Sequence, residues 1–276
     1  SNDGIKWYED GVKNPLIRPT QDKQIFHYSD PDIVYAHNFF YLYFLRDYNR
    51  PQKFGNVYRY FNYVYKKLTK HYTKPYKTEL LLIKSNDGIK WSEPSKIMYR
   101  GGIKSLSPLN YHIFSPAVIF DGSIFRMWIV ESKGCIAKNN RIAYYESVDG
   151  IHWTNYRKCY LNLRNYIPWH IDVQKLTNGE YWMIIAAFPI GAKDCIWSDG
   201  LFLATSNNGI NWKTYSSPIL TKGDGWDGDG VYRSTFMLED GKFRLWYAGR
   251  RYKEWHIGYT ETLVKDYEGV YTINVI

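Results

Sequence analysis

Short runs of aromatic and β-branched residues, each bounded by turn formers, fill this chain from end to end. The runs Phe39 to Phe44, Ile124 to Ile129, Tyr181 to Ile185 and Phe243 to Tyr247 each follow a similar run ten or so positions earlier. Those earlier runs start at Asp30, Ser115, His170 and Arg233. Asp121-Gly122, Asn178-Gly179 and Asp240-Gly241 connect three of the pairs. Such runs between Gly, Asp and Asn clusters read as β-strands joined by hairpins. A third run follows in three units, at Leu80 to Ile83, Arg141 to Tyr145 and Gly200 to Ala204, and a fourth run follows at Lys96 to Tyr99.

Between third and fourth strands lies one recurring motif. Ser1 to Trp7 (SNDGIKW) returns identically at Ser85 to Trp91. It recurs with changes at Ser147 to Trp153 and Ser206 to Trp212. Self-similarity at this spacing is the signature of a repeat architecture. The Asp-Gly or Asn-Gly pair predicts a tight two-residue turn with positive φ. The repeating Trp7, Trp91, Trp153 and Trp212 read as structural. Four-stranded units repeated about an axis predict an all-β fold, a β-propeller. The chain opens on a strand-turn-strand motif whose earlier strands are absent, and an unpaired blade edge is a liability. The expectation is therefore one propeller domain over residues 1–276, five-bladed when complete. Residues upstream of Ser1, within a longer chain that carries further domains, would supply the missing strands.

Composition adds limits rather than a function. The length suits a single all-β unit. No signal peptide or membrane-length apolar stretch is present, so no membrane span is expected. Cys135, Cys159 and Cys195 have no metal-ligand spacing and an odd count, so free thiols are favoured over a disulfide framework and the compartment stays open. Net charge is +9. Part of it comes from a stretch holding Arg50, Lys53, Arg59, Lys66, Lys67, Lys70, Lys74 and Lys77, interleaved with Tyr58, Tyr60, Phe61, Tyr63, Tyr65 and Tyr72. A solvated insertion and an anion-attracting lip both fit it. No nucleic-acid motif accompanies the charge, which argues against that partner.

The repeat itself locates a candidate site. First strands of a propeller line its axis, so equivalent positions on them meet at the channel. Those positions hold Asp30, Ser115, His170 and Arg233, and two residues on they hold Asp32, Ala117, Asp172 and Thr235. Second-strand ends add Arg46, Asp47, Glu131 and Arg250, and the entering loops add His112, Trp169, Trp226, Asp227, Asp229 and Tyr232. These positions differ from blade to blade while the turns do not, as befits a site grafted on a regular scaffold. Asp30, His170, Asp172 and Glu131 are the catalytic candidates. Arg46, Asp47, His112, Trp169, Trp226, Asp229, Tyr232, Arg233 and Arg250 are the substrate-binding candidates. A turn-capping Asp30, a core His170 and an ion-paired Glu131 remain the alternatives.

The Asp-Pro that starts an inner strand, the repeated Ser-x-Asp-Gly-x-x-Trp turns and the segment Asn14 to Ile17 resemble the five-bladed propeller glycosidases of glycoside hydrolase families 43, 32, 68, 117 and 130. The resemblance covers essentially the whole chain. It implies a general base at Asp30. It also implies a second-blade Asp where this chain has Ala117, and a third-blade Glu near His170, so the standard acid is not retained. The implied function is a divergent glycoside hydrolase acting by acid-base catalysis on a glycan, one that carries an anionic group if the arginines bind it. Inverting hydrolysis needs one proton donor and one base. His170 could donate near neutral pH, and Glu131 or Asp172 could do so if burial raises its pKa. A non-catalytic glycan-binding or assembly module of a surface, phage or polysaccharide-synthesis protein is the alternative. A protein-interaction propeller using the basic insertion is the third reading. No cofactor is implied, and neither the histidines nor the loop Asp224 to Gly230 has metal-ligand spacing.

Overall fold

The structure, a computed structural model, describes residues 1, 3–9, 11, 13–18, 25–48, 77–101, 111–133, 139–191, 198, 200–267 and 270–273. Most of the basic insertion (Arg50, Lys53, Tyr58, Arg59, Tyr60, Phe61, Tyr63, Tyr65, Lys66, Lys67, Lys70, Tyr72, Lys74) lies outside the described residues, as do Cys135 and Cys195.

The described chain is all β. Blade 1 holds β1 (Ile25–Ala36), β2 (Phe39–Tyr48), β3 (Lys77–Ser85) and β4 (Ser95–Gly101) in sequential order. Blade 2 holds β5 (Tyr111–Phe120), β6 (Phe125–Lys133), β7 (Asn140–Ser147) and β8 (Thr154–Lys158). Blade 3 is built from β10 (Tyr166–Lys175), β11 (Tyr181–Pro189), β12 (Gly200–Ser206) and β13 (Asn211–Thr214). Two short strands join it, β9 (Tyr160–Leu161) and β14 (Leu220–Thr221). Blade 4 holds β15 (Gly230–Glu239), β16 (Lys242–Arg251), β17 (Glu254–Tyr267) and β18 (Val270–Ile273). The four main strands of each blade pair antiparallel. The inner strands β1, β5, β10 and β15 pack side by side, so the sheets form the blades of a propeller.

The core lies between blades, and this explains the hydrophobic pattern. A strand's side chains alternate between faces. On β11, Met183 and Ile185 face blade 2 while Trp182 and Ile184 face blade 4. Both faces are buried, and the strand reads as one continuous apolar run. On β16 Phe243, Leu245, Tyr247 and Gly249 are buried and the residues between them are not, and the sequence alternates accordingly. Blade 2 is latched to blade 3 by β9, which leaves β8 and pairs parallel with β13.

The repeated turn is built differently from a two-residue hairpin. Ser147 ends β7 and Thr154 starts β8, so the connection is longer. Only the glycine is left-handed, with φ of 70–73° at Gly4, Gly88, Gly150 and Gly209. The preceding Asp or Asn caps the loop instead. Asp149 Oδ1 accepts the N–H groups of Ile151 and His152, both at 2.8 Å, and Ser147 Oγ accepts that of Gly150 at 2.9 Å. This is an Asx-type cap, which the short polar side chain favours.

The turns also fix the blades to one another. Tyr43 of blade 1 donates to Gly150 O of blade 2 at 2.7 Å. Trp128 Nε1 of blade 2 donates to Gly209 O of blade 3 at 2.7 Å. Trp246 Nε1 of blade 4 donates to Gly4 O at 2.6 Å. The first motif thus sits against blade 4 as the turn of a following blade would, while Leu16 and Ile17 pack on Phe44, Leu81 and Ile83 of blade 1. Within the described residues the sheets number four. Trp7 is 70% exposed, in contrast to Trp212 at 7%.

Candidate functional site

The inner strands begin earlier than the Asp-Pro and Ser-Pro punctuation predicts. Asp30, Ser115, His170 and Arg233 lie within their strands, each at an irregularity in register with the second strand. Such bulges interrupt the ladder and re-aim side chains. At two of them the backbone is left-handed, with φ of 52° at Asp30 and 51° at Ser115. A non-glycine residue in that region is strained, and such strain gathers at functional sites.

A bulge frees backbone N–H groups, and side chains of the preceding blade take them up. Asp30 Oδ2 accepts from Ser115 N at 2.9 Å, and Asp32 Oδ2 from Val118 N at 2.7 Å. Ser115 Oγ accepts from Ile171 N at 2.9 Å. Asp172 Oδ2 accepts from Thr235 Oγ1 at 2.9 Å and Phe236 N at 3.1 Å. The carboxylates at the axis therefore have a structural duty whatever chemistry they perform.

Their environments differ. Asp30 Oδ1 lies 3.6 Å from His170 Nδ1 and 3.4 Å from Arg233 Nη1. Burial pushes the Asp30 carboxyl up, but His170, Arg233 and the Ser115 N–H outweigh it and hold the group below its usual value. Burial pulls His170 down to about 4, against the pull of Asp30. A neutral His170 exerts little field above that pH, so Arg233 and the Ser115 N–H carry the stabilisation of ionised Asp30 near neutrality. Both ring nitrogens of His170 lack a hydrogen-bond partner, and the side chain is 5% exposed. Asp32 is pushed up to about 7 by burial and by Asp172, with Arg233 and the Val118 N–H opposing. Asp172 is raised too, by burial, against Thr235, Phe236 and Arg233.

An aromatic wall stands beside this cluster. The Tyr232 ring meets His170 edge-on at 4.3 Å. Trp169 Nε1 donates to the Tyr232 hydroxyl at 2.8 Å, and its ring packs on Phe114 and Phe188. Trp255, 43% exposed, lies 5.3 Å from Tyr232. Arg250 covers Trp255 and lies 3.6 Å from Asp229, whose Oδ2 also accepts the Tyr252 N–H. Trp226 is stacked on Tyr247 and seated over Gly249 and Gly258, where a Cβ would meet its ring at 2.4–2.6 Å.

Asp30, His170, Asp172 and Arg233 thus meet at the axis, with Tyr232 and Trp169 beside them. Three predicted residues sit in networks within their own blades. Glu131 is buried against Arg141, at 3.0 and 3.2 Å, and accepts from Tyr145 at 3.2 Å. Arg46 pairs with Glu79 at 2.6 Å. Asp47 accepts from Thr78 Oγ1 at 2.5 Å and lies 3.1 Å from His27 Nε2. His112 is buried on β5 at the strand position that His27 holds on β1. Repeat alignment put Asp32 and Ser115 at the channel but gave them no catalytic or binding role, and Trp255 was not among the candidates drawn from sequence. The alternation of β1 carries the signal for Asp32, which shares a face with Asp30 two residues earlier. Trp255 carries none, since it lies on a third strand. Among the described residues, no group of three or more His, Cys, Asp or Glu side chains is placed to hold a metal ion. No helix there is long and apolar enough to cross a membrane.

No family model matches the chain. An A type blood N-acetyl-α-D-galactosamine deacetylase from Flavonifractor plautii is 26% identical over 292 aligned positions, covering 90% of this chain. The chain spans about a third (35%) of that relative's length. The β-1,2-mannobiose phosphorylase of Listeria innocua overlays with a TM-score of 0.62 at 10% identity, covering 96% of this chain and 80% of that one. A Bacteroides ovatus glycosyl hydrolase overlays with a TM-score of 0.60 at 13% identity, covering 91% and 74%. The Bombyx mori family 32 β-fructofuranosidase gives 0.53 at 16%, covering 89% and 48%. The chain therefore has the propeller fold of these glycoside hydrolases and phosphorylases, as a divergent example of it.

Proposed function

We propose that this protein is a carbohydrate-active hydrolase whose axial channel cleaves a glycosidic bond by acid-base catalysis. One observation carries the reading. Buried carboxyl groups at a single site are driven in opposite directions, Asp30 towards the ionised form and the Asp32–Asp172 pair towards the protonated form. Acid and base roles are assigned by finding such a divergence. Asp30 would take a proton from the attacking water, and the Asp32–Asp172 pair, with Asp172 as the candidate donor, would protonate the leaving oxygen. His170, neutral above about pH 4, would accept or donate a hydrogen bond to water or to a sugar hydroxyl without carrying charge. Tyr232, Trp169 and Trp255 offer apolar faces to a sugar ring. Arg250, beside Trp255, is the arginine assigned to an anionic substituent. Glu131, taken up by Arg141 and Tyr145, would shape blade 2 and exchange no proton.

The deacetylase relative favours a second reading, hydrolysis of an N-acetyl group on an amino sugar. The same water and base would serve, with nitrogen as the leaving atom. An assay of wild type and Asp30→Asn on a panel of glycans separates the two. New reducing ends support glycosidase action, and acetate release with intact linkages supports the second. Sugar binding with neither product would leave a binding module and overturn both.

A further inference from the structure

The channel arginine does a different job from the one its charge suggests. Arg233 leaves the inner strand of blade 4 and crosses to blades 1 and 2. Its Nη2 donates to Pro31 O at 3.0 Å and Pro116 O at 3.3 Å. Its Nη1 donates to Ser115 Oγ at 3.2 Å and lies 3.4 Å from Asp30 Oδ1. A guanidinium has four terminal N–H donors in a fixed plane. Here three hydrogen bonds to protein acceptors and the facing Asp30 carboxylate take up the fork, turning it towards the protein.

The acceptors share one feature. Pro31 and Pro116 follow the two left-handed residues, Asp30 and Ser115. One side chain thus grips both strained turns by the carbonyls just beyond them, and also touches the side chain of each strained residue. Ser115 in turn donates its N–H to Asp30 and accepts from Ile171 N of blade 3. We propose that Arg233 is a positioning residue, a clasp that holds the Asp30 and Ser115 turns in place and aims the Asp30 carboxylate, and that it does not bind substrate.

The inference rests on Asp30 as the working base, but its test needs no substrate. The charged and titratable groups facing Arg233 are Asp30 and Asp32 on β1 and His170 and Asp172 on β10. The titration of Asp30 is followed by NMR on protein labelled at the aspartate carboxyl carbons, with Asp30→Asn for assignment. In Arg233→Gln the Asp30 midpoint should rise by about one unit, a tenfold loss of acidity. Arg233→Lys should recover part of that, since it keeps the charge without the fork. An unchanged midpoint in Arg233→Gln would overturn the proposal. If Arg233→Gln fails to fold, nitrogen NMR of the wild-type arginine side chains decides. A clasped guanidinium shows separate, slowly exchanging Nη signals, and a single fast-exchanging signal for Arg233 would contradict the clasp. These readouts stand even if the protein turns over no glycan.

Discussion

On the proposed reading Asp30 has two duties, and one substitution separates them. Its Oδ2 accepts the Ser115 N–H while its Oδ1 faces His170 and Arg233. An asparagine there can still accept the backbone bond but cannot act as a base. Asp30→Asn should therefore keep the fold and nearly unchanged ligand affinity, while turnover falls by about a hundredfold or more. Equal loss of binding and turnover, read by calorimetry and by rate, would assign Asp30 to the scaffold alone. The neighbouring carboxyl pair sets the other limit. The proton held by the Asp32–Asp172 pair, which the proposed mechanism passes to the leaving oxygen, is lost as pH rises through the raised value of Asp32, about 7. Activity should accordingly decline on the alkaline side of neutrality, and Asp32→Asn should move that limb. A limb that stays where it was in the variant would remove the pair from the mechanism.

The turn motif shows what the sequence carried at the level of elements. Its four copies revealed strands, blades and repeat directly. They did not reveal that the aspartate caps backbone N–H groups or that the glycine carbonyl receives a donor from the preceding blade, because neither partner is near in sequence. The bulges hid in the same way. Asp30-Pro31 and Ser115-Pro116 look like strand starts, yet each lies inside its strand, since a left-handed residue lets the chain pass the proline and continue. The candidates drawn from inner-strand positions reached the axis, because that placement follows from repeat alignment. Those drawn from second-strand ends, Arg46, Asp47 and Glu131, entered ion pairs and hydrogen bonds within their blades, which alignment cannot foresee. The turn also allows a stability test. Gly150 has φ of 73°, and a Cβ there would meet the Tyr43 hydroxyl at 2.7 Å. Gly150→Ala should cost roughly 2–4 kcal/mol from left-handed backbone and overpacking together. Gly122→Ala, with φ of 92° and nothing within 4 Å, should cost only the backbone part. Equal losses in denaturant melts would show that the inter-blade contact contributes nothing.

Across the whole molecule, the buried charges set a stability profile with pH. A carboxyl whose folded pKa is raised contributes stability that is present below its unfolded value near 3.8 and lost as pH rises through the folded value. Asp32 and Asp172 therefore weaken the fold as pH rises from about 4 towards 7. Lowered groups act in the opposite sense. Glu79, at about 2, and Asp30 contribute stability above their unfolded values that is lost as pH falls through the folded ones. The buried neutral His170, lowered to about 4, likewise opposes the carboxyl pair between pH 4 and 6.5, but as one group against two. Thermal unfolding should show a maximum on the acid side of neutrality, and Asp32→Asn should flatten the decline between pH 5 and 7. A stability that rises steadily to pH 8 would contradict the shared, repelling pair at the axis.

The proposed chemistry takes place at one location, the cluster of Asp30, His170 and Arg233 at the axis. The most direct measurement is a crystal structure of Asp30→Asn soaked with oligosaccharides, both N-acetylated and unsubstituted. A sugar is expected at the axis, its ring against Tyr232 or Trp255 and the bond to be cut over position 30 and His170. A sugar found only on the outer faces of the blades, or a channel that stays empty with every glycan, would contradict it.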